Sequence, residues 1–310
     1  MNEKDYRAPG SGMRKEDSAF SQVPSDGSTS PQDTRPDDRE YTPQQFVVAM
    51  LDIMGQTRAL QAVGNPLDEN CNRASIRERW RAAVVQVYQM QENFKRALSN
   101  ISTRGRFAGL DSRLTWQAFG DSVVVSVPVA DSDCKNFVCY AHGLILTCAA
   151  VLLGGLIGKA PLQGAIELGL ATTDLFPDGQ IYGPVLAEVH GLLKEARFPR
   201  VVVGKRLRRV LGDAAGRQIT DAGDRAEVWA EQASDCLTVL AEAEGQCFVD
   251  YLGSGYAAAV GGLHGLQTDI LAAFEWIKQQ EMFSRRAGEV HIADKYTKLR
   301  EYFESRGFTG

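Results

Sequence analysis

Two acidic residues stand where solvated surface charges seldom do. Asp52 closes the apolar run Phe46-Val-Val-Ala-Met-Leu-Asp52, and Asp121 shares with Gly120 the two-residue link between Leu114–Phe119 and Ser122–Val127. A carboxylate at the end of an apolar strand costs on the order of several kcal/mol unless it is hydrogen-bonded, paired or bound to a metal. Two such groups from neighbouring strands could together hold divalent cations at a phosphate site. The alternative for Asp121 is ordinary turn chemistry, for which Gly-Asp is well suited.

The elements that must position this pair can be read from periodicity. The run from Phe46 to Gly55 is a short strand, followed by a loop over Val63 to Asn72. From Ser75 to Ser99 the apolar residues Ile76, Trp80, Val84, Val87, Tyr88, Phe94 and Leu98 recur at threes and fours, which predicts an amphipathic helix. The two β-rich runs around Gly120-Asp121 predict a hairpin. A helix is expected at about 137–157, a strand over Leu162–Leu170 and a helix over Tyr182–Ala196. A short strand over Arg200–Gly204, a helix at about 224–243 and a strand over Cys247–Leu252 follow, and the last fifty residues read as mostly helical. The basic cluster Lys205, Arg206, Arg208 and Arg209 reads as a solvated helix start. This order predicts an α/β sandwich with a mixed sheet.

Composition bounds what the pair can be doing. The chain has 310 residues, 44% hydrophobic and 24% charged, which excludes collagen, coiled coil and wholesale disorder. Lys and Arg total 34 against 39 Asp and Glu, a net charge of -5, so bulk charge gives no pull towards nucleic acid or anionic lipid. Six cysteines include no Cys-x-x-Cys pair, and the four histidines no His-x-x-x-His spacing, so reduced core thiols fit better than disulfides or zinc. Residues 1–40 are rich in Ser, Pro, Asp and Gly and nearly free of aliphatics, which predicts a disordered tail, and the N-terminus has no apolar stretch of the secretory kind. Phe137–Ile157 lacks Asp, Glu, Lys and Arg over a length that could span a bilayer. His142, two cysteines, three glycines and the absence of flanking basic clusters favour a buried core helix. The expectation is a cytoplasmic protein with no membrane segment and no nucleic-acid partner.

The string Val48-Ala-Met-Leu-Asp52-Ile-Met-Gly55, followed by Phe119-Gly-Asp121-Ser-Val, resembles the two metal-binding motifs of class III nucleotide cyclases. The resemblance continues through Gln163-Gly-Ala-Ile166 with Gly169, Ile181-Tyr-Gly-Pro-Val-Leu-Ala-Glu188 and Phe198-Pro-Arg-Val-Val-Val203. It extends to Phe248-Val-Asp-Tyr-Leu252 and Asp294-Lys-Tyr-Thr-Lys-Leu-Arg-Glu-Tyr-Phe303, and these later pieces look most like the pyrimidine cyclases of Pycsar antiphage systems. It implies a mainly antiparallel mixed sheet flanked by helices, with a catalytic domain over 45–255 and a helical C-terminal extension over 256–310. It also implies two Mg²⁺ or Mn²⁺ ions per site held by Asp52, Asp121 and the Ile53 carbonyl, a nucleoside triphosphate substrate, and a homodimer with sites at its interface. The product would be a second messenger for a cell-killing effector.

Where purine cyclases of this family carry their base-reading residues, this chain has Gln117 and Gln180, which argues for UTP or CTP. A carboxamide offers a donor and an acceptor and, with an amide flip, can match either pyrimidine. Cyclic UMP is the preferred product and cyclic CMP the alternative. Phe46, on the strand face of Asp52, could narrow the pocket or simply fill the core. The helix that carries an Asn and an Arg in the family has Ala187 and Gly191 here. The resemblance therefore leaves the transition-state cation to Arg104, Arg106, Arg113 or Arg200, with Arg106 among the expected substrate-binding residues. It also leaves a competing expectation, a catalytically silent domain that binds nucleotide or a protein partner.

Overall fold

A computed structural model describes residues 42–61, 63, 72–129, 134–175, 179–216 and 225–309. The tail over 1–40 and most of the loop over 63–72 lie outside these residues. Its centre is a seven-stranded sheet: β1 (Gln44–Ile53), β2 (Thr115–Phe119), β3 (Ser122–Val129), β4 (Leu162–Ala171), β5 (Val201–Val203), β6 (Leu240–Ala243) and β7 (Gln246–Val249), in the order β2-β3-β1-β4-β5-β7-β6. β4 and β5 run parallel and the other neighbours antiparallel. This is the mixed, mainly antiparallel sheet flanked by helices that the sequence predicts.

β1 is apolar on both faces because both are covered. Val47, Ala49, Leu51 and Ile53 join the large core beneath α2 (Arg73–Ser102) and α4 (Cys134–Ile157). Phe46, Val48 and Met50 pack against Val185, Val189 and Leu193 of α5 (Pro184–Glu195) on the opposite face. Full burial of a Val or Leu side chain contributes about 1.5–3 kcal/mol, so β1 is fixed from both sides. The apolar segment 137–157 lies within α4, whose Leu144, Ile145, Leu146, Leu152 and Leu153 are buried in the core. Its length and composition would also suit a membrane span, and core packing accounts for them.

α1 (Gln56–Gln61), α3 (Leu110–Arg113), α6 (Lys205–Gly216), α7 (Arg225–Thr238), α8 (Ser254–Val260), α9 (Gln267–Arg286) and α10 (Val290–Ser305) complete the elements. Tyr302 of α10 packs against Phe198, Phe248 and Tyr251, and its hydroxyl donates to buried Asp250 at 2.8 Å. The basic cluster begins α6, where Arg206 pairs with Glu188 and Arg208 with Glu242. Cys148, Cys236 and Cys247 are buried free thiols, and Cys139 is half-buried.

Three expectations are corrected. The helix at 224–243 ends at Thr238, and Leu240–Ala243 is the edge strand β6. Glu244 and Gly245, at φ 54° and 75°, form the tight link to β7, and pairing with β7 overrides the helix propensity of Leu-Ala-Glu-Ala. The helix at 182 begins instead at Pro184. Tyr182 pairs with Thr172, and Gly183 at φ 153° passes so close to Ala171 that a Cβ would lie 2.7 Å from its Cα. In α2, Phe94 and Leu98 are buried as the periodicity implies, but Trp80, Val84 and Tyr88 of the same stripe are exposed.

Candidate functional site

β1, β3 and β4 bring the carboxylates to one end of the sheet. Asp52 lies opposite Ser122 on β3 and opposite Gln163 on β4. Alternation along β1 puts it on the face of Phe46, Val48 and Met50, the face that α5 covers only further along. Gly120, at φ 61°, turns the β2–β3 hairpin and delivers Asp121 beside this strand end, where the Ile53 N–H donates to the Asp121 carbonyl at 3.3 Å.

Asp52 is half-buried and well solvated by neutral donors. The Ser122 hydroxyl donates to Oδ1 at 3.0 Å, and the Gln163 side chain and the Ile53 backbone lie beside the same carboxylate. Burial raises its pKa above the usual range, the Asp121 charge raises it further, and the three donors act in the opposite direction. No Lys, Arg or His pairs with Asp52 among the described residues. The site is thus two crowded carboxylates with excess negative charge, all hard oxygen, and this donor set fits Mg²⁺ or Mn²⁺. Among the described residues no group of three or more His, Cys, Asp or Glu could hold a metal. An ion here would need backbone carbonyl, substrate or water oxygens to complete its shell.

The base-reading candidates also come together. Gln117 faces Val124 across the hairpin, on the α5 side, and its Nε2 donates to the Gly179 carbonyl at 3.2 Å, next to Gln180 in the chain. Its Oε1 is buried without a hydrogen-bond partner. Phe46 is 3% exposed and fills the cluster under α5, so it supports the sheet rather than lining an open pocket.

Arg106 is a correction. It lies in a short 3-10 turn (Gly105–Phe107) on the α4 side of the sheet and pairs with Asp235 at 2.6 Å, away from the carboxylates. The adjoining Phe107 packs edge-on against His142 of α4. Arg104 is engaged by the Ala259 and Val260 carbonyls. Arg200 lies one residue before Val201, which is the register partner of Gly164. Its guanidinium is fully buried, over the rings of Phe198 and Phe248 at 4.5 and 5.3 Å, and bonded to Gln246.

Sequence reasoning missed Ser122 and Gln163. Ser122 was within reach, since a two-residue hairpin fixes it one step from Asp121. Gln163 needed the β1–β4 register.

No protein-family model matches the chain, and no curated protein matches it significantly. Among solved structures it is similar to a class III adenylyl cyclase-like ATP-binding protein from Pseudomonas aeruginosa, at 11% identity and TM-score 0.38, over 63% of this chain and 39% of that one. It is also similar to the guanylyl cyclase Cya2, at 11% identity and TM-score 0.35, over 67% of this chain and 92% of that one. The chain thus spans about two fifths of the first of these proteins. At such identities and scores the likenesses assign neither substrate nor chemistry to this chain.

Proposed function

We propose that this chain is a nucleotide cyclase that converts UTP to 3′,5′-cyclic UMP and pyrophosphate, with CTP to cyclic CMP as the neighbouring reading. The observation that carries the reaction class is the Asp52–Asp121 pair, two carboxylates at one strand end with no cationic side chain on Asp52 among the described residues. Two Mg²⁺ or Mn²⁺ ions, held by Asp52, Asp121 and the Ile53 carbonyl, would supply Lewis-acid activation of the ribose 3′-hydroxyl and neutralise the triphosphate. The 3′-oxygen then bonds to the α-phosphorus as the bond to pyrophosphate breaks, and the hydroxyl proton passes to water. Ser122, Gln163 and the Ile53 N–H keep Asp52 oriented while this happens.

Gln117 supports a pyrimidine and favours uracil. Its Nε2 is committed to the Gly179 carbonyl, and a flip would set two carbonyl oxygens against each other. The buried, unpartnered Oε1 is therefore an acceptor awaiting an N–H donor. Uracil offers N3–H in the ring, whereas the ring N3 of cytosine is itself an acceptor and only its amine can donate. By resemblance, the proposal extends to a cytoplasmic homodimer whose product activates a cell-killing effector during phage infection.

A second reading has its own support. Ala187 and Gly191 provide no transition-state donor, and Arg104 and Arg106 are bound elsewhere. A catalytically silent nucleotide-binding domain would look the same. Incubating purified protein with Mn²⁺ and each ribonucleoside triphosphate, beside Asp52→Ala and Asp121→Asn, separates the two. A cyclic pyrimidine product lost in both variants is the expected result. No product from any nucleotide moves the reading to the silent domain, and cyclic AMP or GMP overturns the argument from Gln117.

A further inference from the structure

The Asp52 carboxylate is flanked by neutral polar side chains and pairs with no cation among the described residues. A carboxylate has roughly four lone-pair sites. The Ser122 hydroxyl engages one at 3.0 Å, and the Gln163 side chain, across the β1–β4 register, lowers the carboxyl pKa as a donor does. Ser122 and Gln163 reach Asp52 from opposite sides, because each is its register partner on a flanking strand, β3 and β4. The row Ser122–Asp52–Gln163 therefore runs straight across three adjacent strands, and all three side chains are half-buried at the strand end. Val124 and Ala165, the next residues along on the same face, are buried and apolar.

We infer that Ser122 and Gln163 are positioning residues, which fix the rotamer of Asp52 so that its free lone pairs are presented to divalent cations shared with Asp121. The inference rests on the proposed cyclase reading for its purpose, and on the register and hydrogen bonds for its geometry. Groups that orient a metal ligand from behind commonly change metal affinity by about 10- to 100-fold when removed. Losing one of the two leaves Asp52 free to rotate, yet leaves both carboxylates in place. The defect should therefore appear in metal binding rather than in folding.

The experiment titrates the full chain with Mn²⁺ alone, following free Mn²⁺ by electron paramagnetic resonance, for wild type, Asp52→Asn, Ser122→Ala, Ser122→Thr and Gln163→Leu. Thermal unfolding without metal is recorded for each. Ser122→Ala and Gln163→Leu are expected to weaken Mn²⁺ binding about 10- to 100-fold with unfolding temperatures close to wild type. Ser122→Thr, which keeps the hydroxyl, is expected to restore binding to within about threefold of wild type. In turnover, the Mn²⁺ concentration giving half the maximal rate should rise by the same factor, with the rate at saturating Mn²⁺ largely recovered. Wild-type affinity in Ser122→Ala and Gln163→Leu, alongside its loss in Asp52→Asn, overturns the positioning role and leaves the cyclase reading standing. A loss that tracks lowered unfolding temperature and is not restored by Ser122→Thr also overturns it. Wild type that binds no Mn²⁺ and makes no cyclic product overturns both.

Discussion

The two faces of the sheet give their buried polar groups different partners. On the α4 side, Leu51, Val125, Ile166 and Val203 meet an apolar layer in which His142 is buried with both ring nitrogens unpartnered. On the α5 side the apolar cluster is smaller, and the strand ends beyond it carry Asp52 with Ser122 bonded to it and Gln163 opposite it. His142 escapes the cost of burial by staying neutral, for desolvation, aided by the nearby Arg106 charge, lowers its pKa to about 4, against a smaller opposing pull from Asp235. Burial and the Asp121 charge push Asp52 towards its neutral form as well, but Ser122, Gln163 and Ile53 oppose that shift. The difference lies in the partners: the His142 nitrogens have none, whereas Asp52 keeps neighbours that oppose its loss of charge.

The sharpest way to break this contrast is Asp52→Asn. In the proposed cyclase, removing one of the two carboxylates that would bind metal forfeits several kcal/mol of transition-state stabilisation, so cyclic-product formation should fall about 10³-fold or more. The metal-free fold should move the other way. Burial and the Asp121 charge raise the Asp52 pKa, so its ionised form costs stability at neutral pH. Because the folded pKa lies above the unfolded value, the native state binds the proton more readily, and stability rises as pH falls through that window. The neutral amide removes this cost while still accepting from Ser122. Calorimetry without metal should find Asp52→Asn unfolding at a higher temperature than wild type at pH 7. A lower temperature would mean that Asp52 serves the fold.

On the α4 side the expectation reverses, with stability at stake and chemistry untouched. Phe94 of α2 is fully buried in the core. Phe94→Ala should cost about 3–5 kcal/mol in denaturant unfolding, from lost transfer energy and the cavity left behind. Activity per folded molecule should stay near wild type. A loss of activity without a loss of stability would contradict the division between the faces.

The sequence carried the parts of this contrast that are local. Asp52 at the end of an apolar run and Asp121 beside Gly120 are visible without any tertiary information, since strand end and tight turn are both short-range signals. Gln163 is invisible as a partner of Asp52, for it lies far along the chain and only the β1–β4 register unites them. Arg106 fails for a related reason, because nothing local states on which side of the sheet a guanidinium will emerge. The strand β6 was hidden by Leu-Ala-Glu-Ala, whose helical preference yields to pairing with Gln246–Val249. The contrast within α2 also eluded periodicity, which marks an apolar stripe but not where along it the cover ends.

His142 gives a pH signature to the α4 side. Its pKa is about 4 when folded and about 6.5 when unfolded, so between these values the unfolded chain binds a proton that the native protein refuses. Stability should therefore fall on acidification from pH 6.5 to 4, by about 3 kcal/mol at most, and level off below. Urea unfolding across this range checks it, with His142→Leu expected to flatten the His-dependent part of the slope. An unchanged slope in that variant would assign the acid sensitivity to other groups.

The smallest effect should come from the uncovered half of α2. Tyr88 is 63% exposed, on the same helix and in the same stripe as buried Phe94. Tyr88→Ala leaves no cavity, and a surface change of this kind stays within about 0.5 kcal/mol. Unfolding at two protein concentrations, tenfold apart, makes the comparison strict. A monomer with an open stripe gives the same small value at both. A cost that exceeds this limit and is accompanied by concentration-dependent unfolding would mean that Trp80, Val84 and Tyr88 are covered by a second chain in solution. The two halves of α2 would then differ in what buries them rather than in whether they are buried.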